Sequence, residues 1–221
     1  MKEAGLEEEI RALMAKVGLQ VGAVQQMDAS QRSRHSNAYF TGIGRVKRIV
    51  LYDTLLAHMD HGEVLAVLAH EVGHWHRGHV WKRLFTAQLA SLVGCYLVYR
   101  LIVWGGLPAM FGLEGASFAA QLVLLGFLSS FLGFLFTPVG SWFSRHQEWQ
   151  ADEFAATLTA MPRSLASALV KLATENLANL HPHPLYARFY YSHPPVVERV
   201  GRLLAAAEAA RAGSCSSTAG V

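Results

Sequence analysis

Leu6, Ile10, Leu13, Met14 and Val17 recur at three- and four-residue spacing near the start of the chain, which predicts an amphipathic helix with one buried face. Glu7, Glu8 and Glu9 stand early in it and Lys16 late, the order a helix dipole favours, and Gly18 is placed to stop it. Three short runs follow, over residues 21–30, 37–43 and 48–55, rich in Val, Tyr, Phe and Ile and broken by Ser, Gly and Asp. Such runs predict strands and turns, hence a small sheet. Asp60 and Glu63 then have capping-box spacing, and Val64, Leu65, Val67, Leu68 and Val72 continue at helical spacing.

Beyond this helix the pattern changes from one-sided to apolar all round. Residues 84–103 and 118–136 carry only mild polar interruptions and Arg100. Each is long enough, at about 1.5 Å per residue, to cross roughly 30 Å of hydrocarbon. Residues 105–117 between them, with Pro108, several glycines and Glu114, read as a turn, so the two runs predict a transmembrane hairpin. A buried helical pair in a soluble core is the alternative. Lys82 and Arg83 precede the first run and Arg145 follows the second, while the connecting loop has no Lys or Arg. The positive-inside rule therefore puts the outer ends of the hairpin in the cytoplasm. Helices are expected over 144–159 and 164–180, a Pro- and His-bearing loop over 181–195, and a last helix to 212. The organisation read from the pattern is the N-terminal part of a catalytic domain over 1–83, the hairpin over 84–136, the C-terminal part over 137–212, and a disordered tail over 213–221.

Composition supports lipid contact. The 221 residues are 52% hydrophobic and 16% charged, against roughly a quarter charged in a soluble globule. The net charge of +3 is carried by scattered Lys and Arg with no basic run, which argues against a nucleic-acid partner. Two cysteines, Cys95 in an apolar run and Cys215 near the end, do not make a disulfide framework. The first eighteen residues lack a signal-peptide core, so the start reads as a folded element.

The chemistry concentrates in His70-Glu71-Val72-Gly73-His74. Histidines four apart on a helix differ by about 40° and can bind one metal ion from the same face. Glu71, about 100° round, can reach water at that ion as a general base. On a regular helix His76 and His79 point about 240° and 180° away from His70, so both read as polar or interfacial side chains. Gly73 inside a helix costs about 1 kcal/mol relative to Ala and implies a close backbone approach there. A catalytic zinc takes three protein ligands and keeps one position open. Glu148-Trp149-Gln150-Ala151-Asp152 supplies a Glu and an Asp on one helix face. Glu148 can be the third ligand while Asp152 accepts the outer N–H of a ligand histidine. Alone, this pair would read as a solvated acidic face.

The segments at residues 36–44 (SNAYFTGIG), 48–56 (RIVLYDTLL), 68–79 (LAHEVGHWHRGH), 144–155 (SRHQEWQADEFA) and 181–200 (HPHPLYARFYYSHPPVVERV) resemble, in this order, the Ste24 family of integral-membrane metallopeptidases. These are CaaX prenyl proteases of the wider M48 group that also contains HtpX. The resemblance runs from about residue 6 to residue 204. It implies a mainly α fold with a small β-sheet, a zincin-type (gluzincin) catalytic domain interrupted by the two-helix hairpin. It implies one Zn2+ per chain held by His70, His74 and Glu148, with Glu71 as base and proton donor and Asp152 behind a ligand. It adds His193 and Arg199 as groups that polarise the scissile carbonyl or steady the oxyanion and Glu148. It adds Asn37, Ala38 and Tyr39 as a strand beside which an extended substrate lies. Without it, His193 reads as a turn residue before a proline-started helix. Trp149 stands where relatives usually have Tyr or Phe, and His76 where Lys is common. Relatives have about seven transmembrane helices, so this chain resembles their C-terminal half: either it is a fragment or truncated reading frame, or the missing N-terminal helices come from another chain as a partner.

The expected activity is metal-assisted hydrolysis of peptide bonds in an integral membrane protein with its site on the cytoplasmic side. The expected partners are a peptide or protein substrate and the lipid bilayer. The substrate class is either prenylated C-terminal CaaX peptides or damaged membrane proteins. The rival reading is a catalytically silent membrane scaffold that retains the zinc site.

Overall fold

The computed structural model of the chain describes residues 4–31, 38–42 and 46–218. Helix α1 (Ala4–Ala15) leads into strands β1 (Gln20–Met27), β2 (Ala38–Thr41) and β3 (Val46–Tyr52). They form one sheet in the order β1-β3-β2, with β1 parallel and β2 antiparallel to β3. A short α2 (Asp53–His58) connects to α3 (His61–His76), which starts on the expected capping box. The Asp60 side chain accepts from the Glu63 N–H, and Glu63 accepts from the Asp60 N–H. Leu6, Ile10 and Met14 of α1, Ile49 and Leu51 of β3, and Val64, Leu68 and Val72 of α3 are buried together in one core. The apolar faces legible in the sequence therefore meet one another, which is what fixes α3 over the sheet.

Two long helices follow, α4 (His79–Trp104) and α5 (Phe118–Thr159), of 26 and 42 residues. Both are long and apolar enough to cross a membrane. Trp81, Phe85 and Leu92 of α4 and Phe127, Phe131 and Phe136 of α5 are exposed, a surface that water does not favour and hydrocarbon does. The chain ends with α6 (Pro162–Glu175), α7 (Pro184–Tyr190) and α8 (Val196–Thr218).

Four expectations are corrected here. The second apolar run and the acidic-ligand helix, expected as separate pieces over 118–136 and 144–159, are the single helix α5. Pro138 lies inside it. In an apolar setting, where no water competes for the backbone, one missing N–H does not end a helix. The divisions expected after residues 83 and 136 accordingly fall inside α4 and α5. Residues 184–190, expected as loop, are helical: Pro184 is pre-organised for the first turn, and the His183 side chain caps it by accepting from the Leu185 N–H. Arg145 anchors this helix by donating to the carbonyls of Ala187 and Tyr191. Helix α8 continues past residue 212 to Thr218, since the Ala-rich run before it is strongly helix-forming. Helix α6 stops at Glu175, short of the expected 180.

Glu63 links α3 to α6. Its buried carboxylate accepts from Ser167 Oγ and from Lys171 Nζ, each at 2.6 Å. Burial alone would raise its pKa, but the bonds from Lys171 and Ser167 hold it below the usual value. Glu63→Ala removes the box and both cross-helix bonds and is expected to destabilise the protein by about 2–3 kcal/mol, read from denaturant unfolding in detergent. Because the folded-state pKa is the lower one, this contribution is full above pH 4.5. The gap between wild type and variant should hold from pH 7 to 5 and close as pH falls through the depressed value. A gap that widens on acidification would contradict this role.

Candidate metal centre

Helix α3 meets α5 at Gly73. A Cβ at that position would lie 3.1 Å from Ala151 Cα and 3.2 Å from both Ala151 O and Phe154 Cδ1. This is the close approach that a glycine inside the helix implied. Backbones this near bring one turn of α3 opposite one turn of α5. His76, read as polar or interfacial, stacks on Phe154 at 4.9 Å.

The facing turns bring two histidines four residues apart together with a glutamate more than seventy residues further along the sequence. His70 Nε2 and His74 Nε2 are 3.3 Å apart. His70 Nε2 is 3.4 Å from Glu148 Oε2, and His74 Nε2 is 3.3 Å from Glu148 Oε1. Ligands at about 2.0–2.1 Å in a tetrahedron are separated by about 3.3–3.4 Å, so these spacings are those of one tetrahedral face. Glu148 Oε2 is buried and has no hydrogen-bond partner. A buried carboxylate whose two oxygens each face an imidazole nitrogen, one of them without a hydrogen bond, is a group that a cation would satisfy. His70, His74 and Glu148 can thus hold a metal ion.

Behind them, His70 Nδ1 lies 2.9 Å from Asp152 Oδ1. Arg199 of α8, 6% exposed, donates through Nε to Asp152 Oδ2 at 2.7 Å and through Nη2 to Oδ1 at 2.6 Å. Its Nη1 stands 3.5 Å from Glu148 Oε2. Burial would lower the His70 pKa, but the bonds to Asp152 and Glu148 outweigh it and raise the value to about 9. With Asp152 placed to accept at Nδ1, Nε2 is the nitrogen that faces Glu148 and can be offered to a cation.

The other site residues divide. Glu71 lines a cavity of about 150 Å³ together with His70, Glu148, His193 and Arg199, and Leu165 and Leu169 of α6 form its apolar wall. Burial raises the Glu71 pKa, which moves it toward the range useful to a general base. His193 Nε2 is 3.4 Å from Glu148 Oε1 although its side chain is 63% exposed, and Ser192 Oγ holds its Nδ1 at 2.9 Å. Ala38 of β2 lines the same cavity, and Tyr39 follows it on the strand with its ring edge-on to Tyr52. Asn37 lies outside the described residues.

His79 is the correction. The regular-helix wheel turned it away from the metal face, but α3 stops at His76 and Gly78 adopts φ +67°, a left-handed conformation that glycine tolerates and that ends helices. The chain restarts as α4 with His79 at its first position. His79 is 1% exposed, with Nδ1 3.0 Å from His74 Nδ1 and Nε2 2.9 Å from Gln150 Oε1. The sequence signal was Gly78, placed where a helix stop belongs.

Asp152→Ala should lower metal affinity about 10–100-fold by freeing His70 Nδ1. It should also destabilise the metal-free protein by about 3–5 kcal/mol, since Arg199 is left buried without its partner. Competition with a chromophoric chelator reads the first, and unfolding in detergent reads the second. Unchanged affinity would mean that Asp152 does not orient a ligand.

Known proteins bear on this geometry. The sequence pattern that defines "Peptidase family M48" matches residues 1–207. The chain is 36% identical to "Uncharacterized metalloprotease YhfN" of Bacillus subtilis, over 90% of its own length and 47% of that protein's. It is 34% identical to "CAAX prenyl protease 1" of Saccharomyces cerevisiae, over 92% and 48% respectively. Its fold is similar to the crystal structure of Ste24p from S. mikatae, with a TM-score of 0.78 and 32% identity, covering 91% of this chain and 50% of that one. The chain spans about half the length of the curated relatives it matches.

Proposed function

The chain belongs to peptidase family M48, and on that premise we propose that it is a membrane-embedded zinc metalloendopeptidase whose site faces the cytoplasm. The observation that carries the reading is the buried Glu148 carboxylate, its oxygens 3.4 Å from His70 Nε2 and 3.3 Å from His74 Nε2 and its Oε2 without a hydrogen bond, with Glu71 in the adjoining cavity. His70, His74 and Glu148 would hold one zinc ion, which when bound supplies Lewis acidity to a peptide carbonyl and to the attacking water. Glu71 takes the proton of that water and delivers it to the leaving amine. Its raised pKa makes it a stronger base toward that water than an ordinary carboxylate. His193, exposed at the cavity mouth, donates to the oxygen that gains charge, and Arg199 holds Glu148 and Asp152 in place. The substrate runs extended beside β2 past Ala38 and Tyr39, with Asn37 as the preceding member of that strand. A silent scaffold, the rival reading, has no use for a buried base beside an open metal position.

The matched relatives suggest two substrate classes. The name of the yeast relative points to CaaX processing, and cleavage of damaged membrane proteins is the alternative. The relatives are twice as long, so transmembrane helices beyond this hairpin are proposed as the partner that completes a binding chamber.

Glu71→Gln should cut a test peptide about 10²–10⁴-fold more slowly than wild type while binding zinc equally, measured by mass spectrometry of cleavage in detergent. Faster cleavage of a C-terminally prenylated peptide than of its unmodified twin would select CaaX processing. Equal rates would select general membrane proteolysis. A wild-type chain that binds one zinc and cuts neither would overturn the reading for this chain on its own.

A further inference from the structure

The two histidines of the metal centre are oriented by different chemistry. His70 is backed by the carboxylate of Asp152, which Arg199 clamps. His74 is backed by another imidazole, His79, which is buried and has both ring nitrogens engaged. At Gln150, Oε1 faces His79 Nε2 while Nε2 faces His146 Nε2 at 3.0 Å. An amide oxygen only accepts, so His79 carries its proton on Nε2 and presents a bare Nδ1. His74 must then donate from Nδ1, which leaves the lone pair on its Nε2 facing Glu148 and His70. With the amide turned the other way, both imidazoles would change tautomer, and His74 Nε2 would carry a proton where a metal needs a lone pair.

We propose that Gln150 and His79 are positioning residues that set the tautomer and ring orientation of His74 through a neutral hydrogen-bonded relay. This rests on the reading of His74 as a metal ligand. The relay exists because Gly78 ends α3 and returns the first side chain of α4 to the last turn of α3. It also gives a role to the polar residue between Glu148 and Asp152 on α5: Asp152 backs His70 directly, and Gln150 backs His74 from one step outward, through His79.

The test measures zinc affinity of the whole chain in detergent by chelator competition, with helicity checked by circular dichroism. Gln150 is only partly buried, so its variants should fold. Gln150→Met keeps length and neutrality but cannot accept, and should weaken binding about 10–100-fold. Gln150→Glu keeps an acceptor toward His79 and should bind as tightly as wild type or better. His79→Phe keeps a ring without nitrogens and should match Gln150→Met. His74→Ala separates the two ideas, since unchanged affinity there would refute the ligand reading itself. If His74→Ala loses zinc while Gln150→Met and His79→Phe keep wild-type affinity, the relay is overturned. Equal loss in Gln150→Met and Gln150→Glu would overturn it too, because bulk and not acceptor chemistry would then be what matters.

Discussion

The approach of α3 to α5 at Gly73 is the constraint on which the rest of the site depends. With no side chain between them, the backbones at Gly73 and Ala151 come within contact distance, and the residues on either side are carried to fixed positions. His70 and His74 flank Gly73 on one helix, while Glu148 and Asp152 flank Ala151 on the other. A larger residue at Gly73 would push the helices apart by a side chain's thickness and open the ligand spacings together. The metal geometry is thus a consequence of helix packing, and the packing is secured elsewhere, by the core that α3 shares with α1 and the sheet.

Charge imposes a second condition. Glu148 and Asp152 are both buried, and like charges so close would repel in a medium that screens them little. Arg199, delivered from α8, lies against both, fully paired with Asp152 and only near Glu148. One guanidinium therefore neutralises one carboxylate and leaves the other short of a partner, which is the arrangement that recruits a cation to Glu148. The neutral relay behind His74 fits the same balance.

What was legible in the sequence was what regular periodicity encodes. The α1 face, the three strand runs, the capping box of α3 and the two apolar helices followed from spacing alone, and the meeting of His70, His74 and Glu148 as a group that can hold a metal ion followed from placing two motifs on helices. What was not legible depended on departures from regularity. A helical wheel carried through Arg77 and Gly78 put His79 on the wrong side, because one left-handed residue resets the direction of every side chain after it. The second apolar run and the acidic-ligand helix read as separate pieces because their residue patterns differ, whereas Pro138 between them leaves α5 unbroken. Arg199 and His193 were reached only through the family resemblance, because periodicity and spacing do not single them out. Arg199 meets Asp152 from α8 and His193 meets Glu148 from the loop before that helix, contacts between segments far apart in sequence.

The continuity of α4 and α5 ties the site to the hairpin more closely than two domains joined by linkers would. Glu148 lies on the same helix as the second apolar run, about 18 Å beyond its end at about 1.5 Å per residue. His79 opens the helix that carries the first run. Outside the apolar runs the two helices are clasped by Arg83, which donates to Gln147 and Ser144, and by the contact of His79 with Gln150. The base of the hairpin is therefore also the outer wall of the metal centre. Any change in the splay of α4 and α5 acts first on these few bonds, and the innermost of them sets the orientation of His74. A soluble peptidase could tune its ligands and its anchoring separately. In this architecture the same hydrogen bonds serve both, which makes the two long apolar helices part of the wall of a site that can hold a metal ion.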